Sequence, residues 1–133
     1  MSLNELAFKL NAHITAEDTR FDAVLAESGV LEVICSNNEE FPINIVKTDT
    51  QLLAVTPLFN VSEVKPDKVS ELNEELLLIS PAIPLSAIGR QGESYILFGA
   101  MALDTLFENI VHELEVQAEN TVDVLQVIEP LLL

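Results

Sequence analysis

The sequence predicts one α+β domain over residues 1–133, with helices packed on one face of a largely antiparallel sheet. Three observations favour this class. A chain of 133 residues suits a single hydrophobic core. Its strand-like runs are joined by connections too short for parallel crossovers. Helix-like segments precede, separate and follow those runs, which gives the order α-β-β-β-α-β-β-α-α.

The first element is a helix from residue 3 to about residue 13. Ser2 and Glu5 have the spacing of a capping box, and apolar residues then recur at helical spacing. A polar break follows at residues 15–19. The pattern leaves open whether residues 21–26 form a strand at the edge of the sheet.

Three strands are predicted next, as an antiparallel meander. They span residues 30–36, 41–47 and 51–59, and polar turns separate them. Pro57 interrupts the third strand near its end, because proline donates no backbone hydrogen bond to a sheet.

A second helix, beginning at Pro66, has apolar residues on one side and glutamates on the other, and residues 80–82 end it. A β-hairpin follows over residues 84–103. Its second strand, 95–103, is apolar at both alternating sets of positions. That pattern is typical of a central strand that is covered on both faces.

Two helices are predicted to close the domain. Asp104 or Thr105 is the candidate N-cap of the first, and Asn120 is the candidate N-cap of the second. Pro130 and the leucines at 131–133 indicate that the last helix either docks on another surface or frays.

The charge of the chain is strongly negative. Six Lys and Arg residues stand against 22 Asp and Glu residues, for a net charge of −16, and no basic residue follows Arg90. Nucleic acid is disfavoured as a partner, because phosphate contacts require a basic surface. The anionic C-terminal third either steers a basic protein partner or only keeps the protein in solution, and composition does not decide between the two.

The cysteine content and the lack of targeting segments predict a cytoplasmic location. Cys35 is the single cysteine, so no intrachain disulfide can form. The N-terminus lacks the pattern of a signal peptide, and no apolar run reaches the length of about 18 residues expected of a membrane-spanning helix. We therefore expect no direct insertion into a membrane.

No catalytic residue, cofactor or metal site is predicted. His112-Glu113 resembles the start of a zinc-protease helix, but position 116 holds Val instead of a second His. Cys35 lies in a strand without a neighbouring base. The turn at 89–92 lacks the Lys-Ser/Thr pair and the helix of a phosphate loop. Neighbouring carboxylates are abundant, but none has the spacing of a calcium loop.

Arg90, at the tip of the hairpin, is the candidate anchor for an acidic or carbonyl group on a partner or on a second subunit. The alternative is a solvated turn residue that neutralises Glu93 or Asp104. Aromatic and apolar residues near Arg90 and at the C-terminus complete the candidate partner-binding set. The set is Arg90, Tyr95, Phe98, Met101, Leu131 and Leu132.

Several segments of the sequence resemble those of a known protein family. They are the stretches 84–89 and 95–100, together with 30–33, 63–66 and 119–121. Over nearly its whole length the chain resembles the YjfI-like family of small acidic bacterial proteins, a domain of unknown function from which no catalytic residue can be transferred. The resemblance implies an association with membrane-stress proteins of the phage-shock-protein-A type, which are coiled coils that coat bilayers.

A looser similarity, at the level of the fold, is to type III secretion chaperones and YbjN-like proteins. It implies dimers formed through the second helix or the late strands, and apolar patches that accept an extended segment of a partner.

Three functions follow as hypotheses. The first is a non-enzymatic cytoplasmic adaptor or chaperone-like module, a homodimer that binds a phage-shock-protein-A-like coiled coil by apolar surface framed in acid. The second is an enzyme or small-ligand binder with carboxylates and Arg90 in a cleft near the 84–103 hairpin. That hypothesis requires a concave pocket and a carboxyl group with a strongly raised pKa. The third is an acidic mimic of nucleic acid.

Overall fold

The computed structural model describes every residue from Met1 to Leu133, and it confirms the α+β class. In chain order the elements are α1 (Leu3–Asn11), β1 (Phe21–Leu25), β2 (Leu31–Cys35), β3 (Asn38–Lys47), β4 (Gln51–Asn60), α2 (Val69–Ile79), β5 (Ala87–Gln91), β6 (Ser94–Ala102) and α3 (Phe107–Ile128). Single 3-10 turns lie at 61–63, 66–68, 80–82 and 129–131. The strands form one antiparallel sheet in the order β1-β2-β3-β4-β6-β5.

Helix α1 begins as the sequence predicts. The Ser2 hydroxyl accepts a hydrogen bond from the backbone N–H of Glu5 at 3.1 Å, which satisfies one of the free donors of the first turn. Leu6 and Leu10 are buried against the sheet. The helix ends at Asn11, two residues earlier than expected.

The open question at residues 21–26 is resolved, because β1 is a strand. Its side chains alternate, with Phe21 and Ala23 buried and Asp22 and Val24 exposed. All five of its residues pair with β2. The meander therefore has four strands, β1 to β4, instead of the predicted three. Five residues with one charged member give too short an alternation for a firm prediction.

The two predicted C-terminal helices are a single helix, α3, without a break at Asn120. The Asn120 amide donates instead to the backbone oxygen of Pro84 at 2.8 Å and to Ser86 Oγ at 3.1 Å. These bonds hold a turn in which Leu85 has a φ of +62°, a conformation that leucine rarely adopts. The prediction of an N-cap at Asn120 was wrong because the sequence does not show whether an asparagine side chain caps a helix or bonds to a distant segment.

The start of α3 also differs from the prediction. Leu106 occupies the N-cap position, and no side chain caps the helix there. The Thr105 hydroxyl donates back to the carbonyl of Ala102 at 2.6 Å, so it serves the preceding turn. None of the three helices combines the length and the apolar content that crossing a bilayer requires.

Strand β4 passes Pro57 without ending. A bulge between Pro57 and Phe59 shifts the pairing with β6 by one residue. Leu58 and Phe59 are in consequence both buried, and the Phe59 ring stacks on the Tyr95 ring with a centroid distance of 5.0 Å. The missing N–H of proline is thus accommodated where the pairing is already irregular.

The helices cover one face of the sheet, as predicted, and the core between them has two parts. The first joins α1 and the first half of α3 to the strands, and contains Leu6, Leu10, Phe21, Ala23, Leu31, Val33, Cys35, Ile43, Ile45, Leu52, Ala54, Met101, Ile110, Val111, Leu114 and Ala118. The second joins α2 and the end of α3 to β4 and β6, and contains Leu58, Phe59, Val64, Leu72, Leu76, Tyr95, Leu97, Val124 and Ile128. Gln117 lies fully buried on the sheet side of α3.

Candidate functional site

The two faces of the sheet are covered unequally. Leu97 and Met101 of β6 belong to the core beneath the helices. Because side chains alternate along a strand, the intervening residues point to the other side, which none of the three helices covers. We call this surface of β4, β5 and β6 the open face. Its residues are Gln51, Leu53, Val55, Pro57, Ala87, Gly89, Gln91, Ile96, Phe98, Ala100 and Ala102.

The open face carries no charged residue, in a chain whose net charge is −16. Val55 and Ile96 are buried by their neighbours alone, at 8% and 6% exposure, and belong to neither part of the core. Phe98 packs across Gly89, where an added Cβ would lie 3.1 Å from Cε1 of the ring. The open face is therefore a packed apolar surface without a covering layer.

Beyond β4, on strands β3, β2 and β1, the same side of the sheet becomes acidic. Val46 of β3 follows the apolar residues of β4 on the same side of the sheet. On the two strands beyond, Asp22, Val24 and Glu32 point the same way and are exposed. An apolar centre with an acidic border on one side results.

A cleft lies between α2 and the edge strand β5. Its volume is 290 Å³, and it is lined by Asn73, Leu76, Leu77, Ile88, Gly89, Arg90 and Tyr95. We call it the α2–β5 cleft. The walls are mainly apolar, and Leu77 is 75% exposed, although it is a large apolar side chain.

Arg90 is fixed at this cleft by its own hairpin. Its Nε and one terminal nitrogen donate to the backbone oxygen of Gly92 at 3.1 and 2.9 Å. The guanidinium lies over the Tyr95 ring, 4.8 Å from the centroid, in a cation–π contact. The Tyr95 hydroxyl accepts from Arg90 at 3.4 Å and donates to Oδ1 of Asn73. The guanidinium is thus held in one orientation before any ligand binds.

Arg90 has no acidic partner within the chain. The only salt bridge of the protein joins Lys68 to Glu71, at 3.4 Å. Arg90 is exposed beside its turn, as the alternative interpretation expects, but it forms no ion pair with Glu93 or Asp104.

The structure separates the remaining residues of the predicted partner-binding set. Tyr95 is 3% exposed, and its ring belongs to the core while its hydroxyl reaches the α2–β5 cleft. Phe98 is half-buried and lies on the open face, on the opposite side of β6 from Tyr95. Arg90 and Tyr95 thus form one candidate site, and Phe98 belongs to another.

Met101, Leu131 and Leu132 are placed in contacts within the chain. Met101 is 5% exposed inside the first part of the core, so its assignment to a partner surface is corrected. Leu131 and Leu132 are half-buried against the second part. Leu132 forms a bridge with Val64, and the Leu131 carbonyl accepts from the N–H of Lys65 at 3.0 Å. Leu131 and Leu132 therefore dock on their own chain.

The predicted set left out most residues of the two candidate sites, among them Leu53 and Val55 of the open face and Asn73 and Leu77 of the cleft. Leu53 and Val55 had a signal, because β4 is apolar at both alternating sets of positions, as β6 is. Leu77 also had one, since it widens the apolar stripe of α2 beyond the buried side. No sequence signal could have identified Asn73, because an asparagine on the polar side of a helix does not differ from other solvent-exposed residues.

The carboxyl group that best fits an enzyme lies outside the cleft. Burial raises the pKa of Glu113 above its usual range, and nearby His112 partly opposes that rise. Glu113 lies beside Gly99, where an added Cβ would be 3.4 Å from its Oε2, and it does not line the α2–β5 cleft. The pKa of Glu119 is also raised, by burial first, and Glu119 does not line the cleft either. The structure therefore brings neither of these carboxyl groups into one pocket with Arg90.

The histidines and acidic residues do not assemble into a metal site. No three His, Cys, Asp or Glu side chains lie close enough together to hold a metal ion. His112 is exposed on α3, and the His13 ring meets the edge of Phe107 with a centroid distance of 5.3 Å.

Cys35 is a core residue at 1% exposure, as predicted. Burial, with a smaller contribution from Glu115, raises the pKa of its thiol from 9.0 to about 12. We expect Cys35 to resist an aromatic disulfide reagent at neutral pH in the folded protein and to react fully once denaturant unfolds it, because the thiolate is the reactive form. Fast, complete labelling of the native protein would contradict this placement.

The same shift gives a pH dependence. The folded protein holds the thiol proton more tightly than the unfolded chain does. The stability contributed by the neutral thiol is therefore present below pH 9.0 and is lost as the pH rises toward about 12. A Cys35→Ala variant should lack this part of the alkaline loss in urea unfolding curves.

Comparison with known proteins yields one family and two relatives. Residues 1–132 match the family described as "Uncharacterized protein conserved in bacteria (DUF2170)". The chain is 30% identical over 134 aligned positions to the uncharacterized protein YjfI of Escherichia coli K12, and equally to that of Escherichia coli O157:H7. Each alignment covers 97% of this chain and 97% of the relative.

Proposed function

This chain belongs to the bacterial family DUF2170, whose YjfI-like members it resembles in sequence, and from its surface we propose that it is a non-enzymatic, chaperone-like adaptor. It acts in the cytoplasm and binds a protein partner through the open face. The observation that carries the proposal is the uncharged, packed apolar surface of β4, β5 and β6 in a chain of net charge −16.

An uncovered apolar sheet face favours a binding role for a physical reason. Apolar surface that no other layer of the protein covers is a common mark of an interaction site. A solvated sheet face ordinarily alternates to polar residues. Here Leu53, Val55, Ile96 and Phe98 occupy the positions where polar side chains would be expected.

The surroundings of the open face define the partner. Asp22 and Glu32 border it, and the whole chain generates a negative field. A partner that presents an apolar stripe beside basic residues would be attracted by the field and held by apolar burial. An amphipathic helix of a phage-shock-protein-A-like coiled coil has this form, and it is the partner that we propose.

The homodimer expected from the sequence would compete for the same face. Two copies would each bring a charge of −16, so their association is opposed by repulsion that salt relieves. Binding of a basic partner has the opposite salt dependence. The sign of the salt effect therefore distinguishes the two modes.

The Ala100→Glu variant tests the open face. Ala100 is exposed on the open face, opposite Leu53 and beyond the end of β5, so a glutamate there adds a charge to the surface without entering the core. We expect its affinity for a purified phage-shock-protein-A-like protein to fall at least about tenfold, measured by calorimetry in about 0.1 M salt. Wild-type binding should weaken as salt rises to about 1 M.

Ala16→Glu is the matched control, because it places the same change at an exposed turn away from the sheet. It should bind as the wild type does. If the wild-type protein does not bind, or if the two variants bind equally well, the proposal is wrong. Self-association that strengthens with salt and is lost in Ala100→Glu would assign the open face to a second copy instead.

A further inference from the structure

The two edge strands of the sheet, β1 and β5, differ in how far their outward backbone groups are already hydrogen-bonded. On β1, the Asn11 side chain donates to the Ala23 carbonyl at 2.9 Å and accepts from the Ala23 N–H at 2.8 Å. It occupies the centre of that edge. On β5, the N–H of Ile88 points away from β6 and donates to Ser80 Oγ at 3.1 Å.

Toward the hairpin tip, β5 remains available for pairing. Backbone N–H and C=O groups alternate in direction along an antiparallel strand, so those of Arg90 point the same way as those of Ile88. No hydrogen bond outside the regular secondary structure uses the N–H of Arg90. An extended segment could therefore pair with β5 beside the α2–β5 cleft.

The polar groups that remain at the cleft are hydrogen-bond donors. The guanidinium of Arg90 has five N–H groups, and the bonds to Gly92 and Tyr95 leave some of them available. Asn73 accepts from Tyr95 through Oδ1, which leaves its Nδ2 amide as a donor. No carboxylate lines the cleft. A ligand with an anionic group on an apolar body is complementary to this lining.

The volume of the cleft limits the size of the apolar part of the ligand. Its 290 Å³ lies just below the range for ligand pockets, about 300–1,000 Å³. The terminal residue of a peptide provides an apolar side chain, a carboxylate and a pairing backbone from one position, so it is a compact ligand that combines all three.

We propose that the α2–β5 cleft binds the C-terminal residue of an extended partner peptide. The segment pairs with β5 through the backbone of Arg90, its last apolar side chain lies between Leu77 and Ile88, and its terminal carboxylate is bound by the guanidinium of Arg90. Asn73 donates a further hydrogen bond. The site lies on the other side of β5 from the open face and shares only Gly89 with it, and the proposal does not depend on the adaptor function.

The net charge of the protein makes the test stringent. A charge of −16 repels anions and attracts cations at long range. The probe is acetyl-Lys-Thr-Val-Leu with a free carboxylate, which has no net charge, and its twin is the C-terminal amide, which carries one positive charge. The general field favours the amide, so a preference for the acid can arise only from a local anion site.

The experiment is a titration of ¹⁵N-labelled protein, followed by NMR. We expect the acid to shift the backbone amides of residues 88–90 and the side-chain amide of Asn73, and to bind at least about tenfold more tightly than the amide twin. Equal binding of acid and amide, or no shifts at these positions, would overturn the proposal. Octanoate is the third probe; if it binds as well as the peptide acid, pairing with β5 is excluded.

Two variants remove the donors separately. Arg90→Ala and Asn73→Ala should each weaken binding of the acid, the first by at least about tenfold. Arg20→Ala, which removes an exposed positive charge elsewhere, should leave it unchanged. Ala100→Glu should also leave peptide binding unchanged. These variants thereby distinguish a failure of the peptide-binding proposal from a failure of the adaptor proposal.

Discussion

Replacing Gln117 by leucine is expected to lower the free energy of unfolding by about 2–4 kcal/mol, although leucine has nearly the same volume. Gln117 is 1% exposed, and its Nε2 donates to the Ala54 carbonyl at 3.0 Å and to Thr56 Oγ1 at 2.9 Å. Leucine would leave both acceptors without this donor inside the core, and buried polar groups without partners are destabilising. Urea unfolding followed by circular dichroism measures the change.

A double-mutant cycle separates the hydrogen bonds from packing. Thr56→Val removes one of the two orphaned acceptors, so the double variant should be more stable than the sum of the single effects implies. Simple additivity, or a loss below about 0.5 kcal/mol for Gln117→Leu, would show that these bonds do not stabilise the contact between α3 and β4.

Leu114→Ala should destabilise the fold by about 2–5 kcal/mol. Leu114 has 0% exposure on the sheet side of α3, within the first part of the core, so its removal leaves a cavity that neighbours only partly fill. The midpoint of urea unfolding should fall, with an unchanged slope.

Leu78→Ala is the matched control, because it makes the same change within a helix at a residue that is 68% exposed. Its effect should stay within about 0.5 kcal/mol. Comparable losses in the two variants would contradict the placement of α3 on the sheet.

These two predictions concern the layer beneath the sheet, and the functional proposals concern what lies on its other side and at its edge. The helices bury the residues of β4 and β6 that point toward α3. The open face and the α2–β5 cleft depend on this scaffold for their geometry, since Tyr95 contributes its ring to the core and its hydroxyl to the cleft. Variants at Ala100 or Arg90 should therefore alter binding without unfolding the protein.

The candidate sites were only partly predictable. Arg90 was identifiable as an isolated positive charge at a hairpin tip, and Phe98 as part of a strand that is apolar on both faces. The chain could not reveal that Arg90 faces Asn73 of α2, because that contact joins residues from different elements through Tyr95. Met101 was misassigned because alternation along β6 does not show which set of residues the helices cover.

Local sequence patterns were sufficient to predict the α+β class, the capping of α1, the hairpin of β5 and β6, and the buried thiol of Cys35. These depend on local periodicity, turn residues and apolar content, all of which act over a few positions of the chain. Three features became known from the fold alone: α3 continues through Asn120, β4 pairs with β6, and one apolar face of the sheet stays uncovered. The reason is physical: an apolar strand is favourable wherever its side chains are buried, and whether a helix, a second strand or a partner buries them depends on distant segments.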